Sequence, residues 1–357
     1  MVQPPVLMVV VDTEEEFDWS SPLDRRARSV TAMAAIEIAQ AIFDDFGVRP
    51  VYVVDYPVVS QEAGWAVLKP LSQEKRAIIG AHLHPWVNPP FLEEITPAHS
   101  FPGNLPLHLE REKLAALTRQ IESSLGIQPV IYKAGRYGIG PNTPTILRQL
   151  GYMIDLSPAP PYDFSSCGGP DFSLASNHPR TMGSGDDILS FPATGDYIGQ
   201  LAFSRPVAHR LHQAAAHPFF RPLRLPGILA RTRLLERVRL SPEGFTLDEM
   251  ERLTLFLLRQ GLRVFSLTFH SPSLQPGCTP YVQSRQDLQR FLSTLRRYLE
   301  FFLQRLGGIT RTPLEWQSLP THAESAGHQG RPGGGDGNVD TFMQKCLESG
   351  TLDHPSL

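Results

Sequence analysis

Two histidines one residue apart, His82-Leu83-His84, follow the short apolar run Ala77-Ile78-Ile79-Gly80-Ala81. In a strand, residues i and i+2 project from one face, so two imidazoles where a strand meets its loop can close on one metal ion. A second cluster follows the apolar run Val6–Val11 and reads Asp12-Thr13-Glu14-Glu15-Glu16-Phe17-Asp18-Trp19. Imidazole together with carboxylate suits zinc and similar divalent ions. The chemistry such a set supports is metal-assisted hydrolysis. For an amide this needs ligands that leave a position open for water, a base, help for the developing oxyanion, and an acid for the departing amine.

The elements that must position these groups read as alternating strands and helices. Val6–Val11 is continuously apolar, the pattern of a parallel strand covered on both faces. Helical spacing over Val30–Phe46 stops at Gly47, and Pro50–Val54 is a second strand. A helix is expected over Gln61–Leu68, ending before Lys69-Pro70, and Ala77–Ala81 is a third strand. Helices over Leu109–Leu125 and Thr143–Leu150 alternate with strands over Pro129–Tyr132 and Met153–Leu156. Thr246 and Glu249 form a capping-box pattern before the helix Met250–Gln260. Val264–Phe269 is a late strand, and Ser284–Gly307 a long amphipathic helix. Such alternation predicts an α/β fold with a parallel sheet or barrel and helices outside. Asp12, His82, Lys133, Asp155 and His270 each fall at or just past a strand end. In parallel α/β folds these ends share one rim, so five residues far apart in sequence are expected to converge.

Composition narrows the class. With 41% hydrophobic and 19% charged residues over 357 positions, a sizeable core is affordable and a globular protein is expected. A net charge of -3 gives no overall attraction to nucleic acid. Cys167, Cys278 and Cys346 are widely spaced, which fits a reducing compartment rather than a disulfide framework. Met1-Val2-Gln3-Pro4-Pro5 lacks a basic leader, and no apolar stretch reaches the length of a membrane span. The expected location is cytoplasmic. Residues 201–240 hold eight arginines against one acid, Glu236. They read as a helical insertion that is either simply solvated or a basic face meeting phosphate groups or an anionic membrane. From about Pro320 glycines crowd among polar residues, and the segment reads as a disordered tail.

The order of these motifs resembles the polysaccharide deacetylase (NodB-homology, carbohydrate esterase) family, and within it the WalW-like lipopolysaccharide-biosynthesis branch. The resemblance runs over roughly residues 5–317. It rests on the acidic first strand end, the histidine pair, Lys133-Ala134-Gly135-Arg136-Tyr137-Gly138, Asp155-Leu156-Ser157 and Phe269-His270. It implies a distorted (β/α)7 barrel in a catalytic unit 1–319, with 201–240 as a basic insertion and 320–357 as the tail. It also implies a divalent metal, zinc foremost, with cobalt, nickel and manganese open.

Motif by motif, the resemblance makes Asp12 the base and Glu14 a metal ligand, with Glu15 or Glu16 open as substitutes for Glu14. The family's usual His-x-x-x-His is here His82-Leu83-His84, with Trp86 at the second position, so either both His82 and His84 bind the metal, by the i, i+2 strand geometry, or only one does. Lys133 takes the place where the family uses an arginine to hold the base. Lysine lacks the bidentate fork, so Arg136 is an alternative tether, and the backbone N–H groups of Arg136 and Tyr137 are candidates for the oxyanion. Asp155 would orient His270, the acid. Trp19, Trp86, Tyr137 and Tyr162 are candidates to line a sugar groove. The implied substrate is an N-acetylated sugar, oligosaccharide or lipid-linked glycan, with peripheral membrane contact through 201–240. Alternatives are a metal-free amide hydrolase of the same fold and a decayed glycan-binding protein. An amidohydrolase barrel is disfavoured because its paired histidines close the first strand.

Overall fold

In the computed structural model, the described residues are 3–183, 185, 188–217, 219 and 225–318. The strands among them, in chain order, are β1 (Val6–Thr13), β2 (Val51–Val54), β3 (Ile78–Leu83), β4 (Ile131–Ala134), β5 (Ile154–Asp155), β6 (Arg180–Met182), β7 (Ile188–Ser190), β8 (Gly195–Ile198), β9 (Glu236–Arg239), β10 (Val264–His270) and β11 (Ile309–Thr310). Seven of them lie side by side and parallel in the order β10-β1-β2-β3-β4-β5-β7. This is a curled parallel half-barrel, in line with the parallel sheet or barrel that the α/β alternation predicts and the distorted barrel that the resemblance implies. β11 adds to the start of β1, and β6 pairs antiparallel with β7.

The curl is not left with a bare edge at β10. The Thr194 N–H donates to the Ser266 carbonyl, the Ser266 N–H donates to the Thr194 hydroxyl, the Thr194 carbonyl accepts from the Leu240 N–H, and the Leu240 carbonyl accepts from the Thr268 N–H. These links tie β10 to a two-stranded ribbon, β8 with β9, outside the main sheet. The helices α1 (Ile36–Asp45), α2 (Tyr56–Ser60), α3 (Glu62–Trp65), α4 (Leu68–Gln73), α5 (Leu107–Leu125), α6 (Thr143–Gln149), α7 (Arg205–Ala216), α8 (Leu225–Arg231), α9 (Leu247–Arg259), α10 (Arg285–Glu300) and α11 (Pro313–Gln317) surround the sheet and extend its loops.

Strand alternation sorts the core into two faces. Leu7, Val9 and Val11 of β1 join Ile79, Ala81 and Leu83 of β3 and Phe265, Leu267 and Phe269 of β10 under the helices. Val6, Met8 and Val10 join Val51, Val53, Ile131, Ile154 and Leu156 on the inside of the curl. Every residue of β1 is buried, as a strand covered on both sides must be.

Two expectations shift. The single helix expected over Gln61–Leu68 is broken: α2 ends at Ser60 before it, α3 covers only Glu62–Trp65, and α4 starts at Leu68, so Lys69-Pro70 lies inside α4 rather than beyond a helix end. Pro70 is the third residue of α4, where the backbone N–H would have no intrahelical acceptor, so proline loses nothing there. The expected helical insertion also holds a strand, since β9 falls within 201–240. Its helices, α7 and α8, form an excursion between β8 and β9. Arg205 pairs with Asp196, Arg237 stacks on Tyr162, and Arg239 turns inward. Arg221, Arg224 and the expected tail 320–357 lie outside the described residues. The capping box forms as expected: Thr246 and Glu249 each accept from the other's backbone N–H at the start of α9.

Candidate metal centre and active site

The same alternation that builds the inner face delivers the reactive groups. Continuing Val6-Met8-Val10, Asp12 and then Glu14 follow on the inner side of β1. His82 and His84 continue Ile78 and Gly80 on β3, Lys133 continues Ile131 on β4, and His270 continues the even positions of β10. Asp12 stands directly opposite His270, and His82 opposite Lys133. Asp12, Glu14, His82, His84 and His270 line one cavity of about 340 Å³, together with Trp19, Trp86, Tyr137, Arg136 and Arg239.

Glu14, His82 and His84 offer ligand atoms that all lie within 4.8 Å of one another. Both imidazole Nε2 atoms are 3.4 Å from Glu14 Oε2. The other Glu14 oxygen, Oε1, is buried with no hydrogen-bond partner. Burial, with Glu15 and Asp12 close by, pushes the Glu14 carboxyl well above the usual carboxylate range. Burial also holds His82 well below its usual value and His84 at about 4, so both rings are neutral at pH 7. Neutral imidazoles facing a carboxylate with an orphaned oxygen make a donor set that a divalent cation fits.

The ligand candidates are held from behind. His84 Nδ1 lies 2.8 Å from Glu15 Oε2, and Trp86 Nε1 donates to Glu15 Oε1 at 2.9 Å. His82 Nδ1 lies 3.0 Å from the Lys133 carbonyl, which fixes that ring with its Nδ1 as donor. Asp55 accepts from the Glu15 backbone N–H and caps α2 through Val58. Among the three candidate glutamates the roles separate. Glu14 faces the histidines, Glu15 supports His84 from outside, and Glu16 binds Ser29, Thr31 and the Ala32 N–H away from the cavity.

Lys133 Nζ reaches both oxygens of Asp12 at 2.7 Å, so the lysine itself holds the carboxylate. Burial opposes the charge on Asp12, but Lys133, with His82 and His270, outweighs it and sets the pKa at about 2. Arg136 donates to Ser100 and lies over the Phe101 ring. It is drawn there by a turn in which Arg136 and Tyr137 both take left-handed φ, at 52° and 60°. Gly135 before it is obligatory, since a Cβ there would sit 2.5 Å from both His84 Cδ2 and the Leu83 carbonyl.

Asp155 does not orient His270. Ile154 and Leu156 both face the inner core, so Asp155 between them is one residue out of phase and faces the other side of the sheet. It accepts hydrogen bonds from Ser157 and Ser190 there, and burial raises its pKa to about 6. Glu243 takes the place at His270. Its Oε2 lies 2.8 Å from His270 Nδ1, and its Oε1 accepts from the His270 backbone N–H and from Ser273. His270 Nε2 then points into the cavity, 3.7 Å from Asp12 Oδ2. Glu243 sits in the turn Ser241-Pro242-Glu243-Gly244, whose sequence carries no periodic or motif signal. Of the four aromatic candidates, Trp19, Trp86 and Tyr137 line the cavity, whereas Tyr162 packs in the cluster beside it.

No family model matches the sequence, and no curated protein matches it. Solved structures do. The chain superposes on the crystal structure of a candidate polysaccharide deacetylase from Mycobacterium smegmatis with a TM-score of 0.52 at 14% identity, covering 93% of this chain and 96% of that one. The fold is the same. Looser likenesses extend to the Bc1960 peptidoglycan N-acetylglucosamine deacetylase (TM-score 0.43, 8% identity, 88% and 89% covered). They extend also to a 4-alpha-glucanotransferase from Thermococcus litoralis (TM-score 0.47, 14% identity, 90% of this chain and 41% of that one).

Proposed function

We propose that the chain is a metal-dependent hydrolase that removes N-acetyl groups from a sugar or polysaccharide. The observation that carries this reading is the Glu14-His82-His84 cluster beside two further groups, an Asp12 held by Lys133 and a His270 held by Glu243. Glu14, His82 and His84 would hold the ion. A bound divalent ion supplies Lewis-acid polarisation of an acetyl carbonyl and lowers the pKa of water. Asp12, ionised at neutral pH with a pKa of about 2, takes the proton of the attacking water. Lys133 keeps its carboxylate fixed during that transfer. As the carbon–nitrogen bond breaks, His270 gives a proton from Nε2 to the leaving amine, and Glu243 keeps Nδ1 protonated and the ring aligned. Water supplies the new carbon–oxygen bond, and the products are acetate and an amino sugar. Phe17, Trp19 and Tyr281 give the cavity aromatic walls against which a pyranose ring can pack.

The test is acetate release from an N-acetylated oligosaccharide by protein as purified, after chelation, and after reloading with zinc. Release that chelation removes and zinc restores supports the reading. Glycan binding without acetate release under all three conditions overturns it in favour of a binding protein, and chelator-insensitive release in favour of metal-free hydrolysis.

The finer proposal is a lipid-linked glycan of lipopolysaccharide or exopolysaccharide assembly, met from the cytoplasmic side. Phe203 is exposed just before α7, Val207 and Leu211 are exposed along it with Arg210 between them, and Ile228 is exposed on α8. An apolar row edged by arginine suits peripheral contact with an anionic bilayer. Among the described residues no helix is long and apolar enough to cross a membrane. Co-sedimentation with anionic vesicles that fades with added salt, and with Phe203→Ser, checks this contact.

A further inference from the structure

Two arginines line the cavity, Arg136 and Arg239, and the deacetylation steps use neither; Arg136 is already engaged by Ser100 and the Phe101 ring. Arg239 ends β9 and lines the cavity from the excursion side. Its guanidinium lies 4.3 Å from the centre of the Tyr162 ring and 5.3 Å from that of Tyr137. Nη1 donates to the Tyr137 hydroxyl at 2.8 Å, while Nε is buried without a hydrogen-bond partner. Among the described residues Arg239 forms no ion pair, unlike Arg205 with Asp196 on the same ribbon.

The nearby acids are already engaged. Glu243 bears electrostatically on Arg239, but its two oxygens are taken by His270 and Ser273. Of the other acids lining the cavity, Asp18 accepts from Ser20 and Ser21, Asp163 from the Ser165 N–H, Asp12 from Lys133, and Glu14 faces the histidine pair. Ring contacts act on the faces of a guanidinium, whereas its five N–H donors lie in its plane. An inward guanidinium with no acid partner and an unsatisfied donor costs stability unless something completes it. The complement of a planar fork is a bidentate oxyanion. The position matters as well: Arg239 and Lys133 both lie against the ring of Tyr137, at 5.3 Å and 5.1 Å, and Lys133 holds Asp12.

We infer that Arg239 binds an oxyanion, a carboxylate or a phosphate, borne by the sugar whose acetamido group lies at Asp12 and His270. The substrate is therefore an acidic N-acetylated sugar rather than a neutral one. The inference rests on the deacetylase reading for the acetamido group, while the oxyanion is read from Arg239 itself.

The experiment uses the full, zinc-loaded chain with three probes: methyl N-acetylglucosaminide, N-acetylglucosamine 1-phosphate and the methyl glycoside of N-acetylglucosaminuronic acid. Acetate release and calorimetric binding are both measured. One or both acidic probes are expected to exceed the neutral one by about 10- to 100-fold in kcat/KM, the range of a charge-assisted hydrogen-bonded pair. Added salt narrows the gap, Arg239→Gln closes it, and Arg239→Lys keeps part of it. Whichever acidic probe shows the larger gap identifies carboxylate or phosphate. Equal values for all three probes in the unaltered chain, or a gap that survives in Arg239→Gln, overturn the inference and leave the deacetylase reading in place. If no probe releases acetate, the deacetylase reading fails, and the inference is judged on binding alone. Arg239-dependent preference for an acidic probe then sustains it, and indifference overturns it. Should Arg239→Gln fail to melt cooperatively, the salt dependence and Arg239→Lys carry the same decision.

Discussion

Two histidines in this cavity are built with the same device and put to different ends. His84 and His270 each have Nδ1 2.8 Å from a glutamate oxygen, and each turns Nε2 toward the cavity. The surroundings differ. His84 is sealed between Glu15, Trp86 and Glu14, with burial holding its pKa at about 4. The His270 side chain keeps 14% of its surface open and faces Asp12 rather than Glu14. A sealed neutral imidazole beside a carboxylate is suited to hold a cation. An accessible imidazole beside a base is suited to move a proton. A glutamate at Nδ1 fixes which ring nitrogen acts; the group at Nε2 fixes what it acts on.

The contrast can be broken most directly at the ligand end. His84→Ala, like Glu14→Ala, is expected to abolish bound zinc and acetate release together, by metal analysis beside the activity assay. His270→Ala is expected to keep its metal and lose about 10²–10⁴-fold in turnover; loss of metal in that variant would merge the two roles. The supporting glutamates sharpen the comparison further. Glu15→Gln should weaken zinc affinity by about 10- to 100-fold. Glu243→Gln should leave affinity alone and lower kcat with a displaced pH profile.

Stability probes the base between them. The folded-state pKa of Asp12, about 2, lies below the 3.8 of the unfolded chain. Its pair with Lys133 therefore stabilises fully above about pH 4, and that contribution fades as pH falls toward 2. Lys133→Met leaves a buried carboxylate unpaired and should cost about 3–5 kcal/mol at pH 7, read by urea unfolding. The smallest effect belongs to Asp155→Asn. It should change stability by about 1–3 kcal/mol through Ser157 and Ser190 and leave turnover and its pH profile unmoved.

Much of the inner face is legible in the chain itself. The runs at Val6–Val11 and Ala77–Ala81 announce strands, and strand period two carries Asp12, Glu14, His82, His84 and His270 onto one side. The same period sets Asp155 opposite Ile154 and Leu156, but which of those two faces meets the cavity is a matter of register, in which Asp155 pairs with Tyr132 rather than with Lys133. Glu243 was not recoverable in this way. It reaches His270 from a turn 27 residues earlier in the chain, and no local pattern marks a turn acid as a partner for a distant ring. Arg239 was visible only as one of eight arginines in a stretch that read as an insertion.

Period and polarity fixed which residues lie on the rim, because a side chain's face in a strand follows from its parity. Which Glu supports which His, and which arginine turns inward, depended on loops and on the β8–β9 ribbon closing over β10. Those contacts join segments far apart along the chain, so only the folded arrangement decided them.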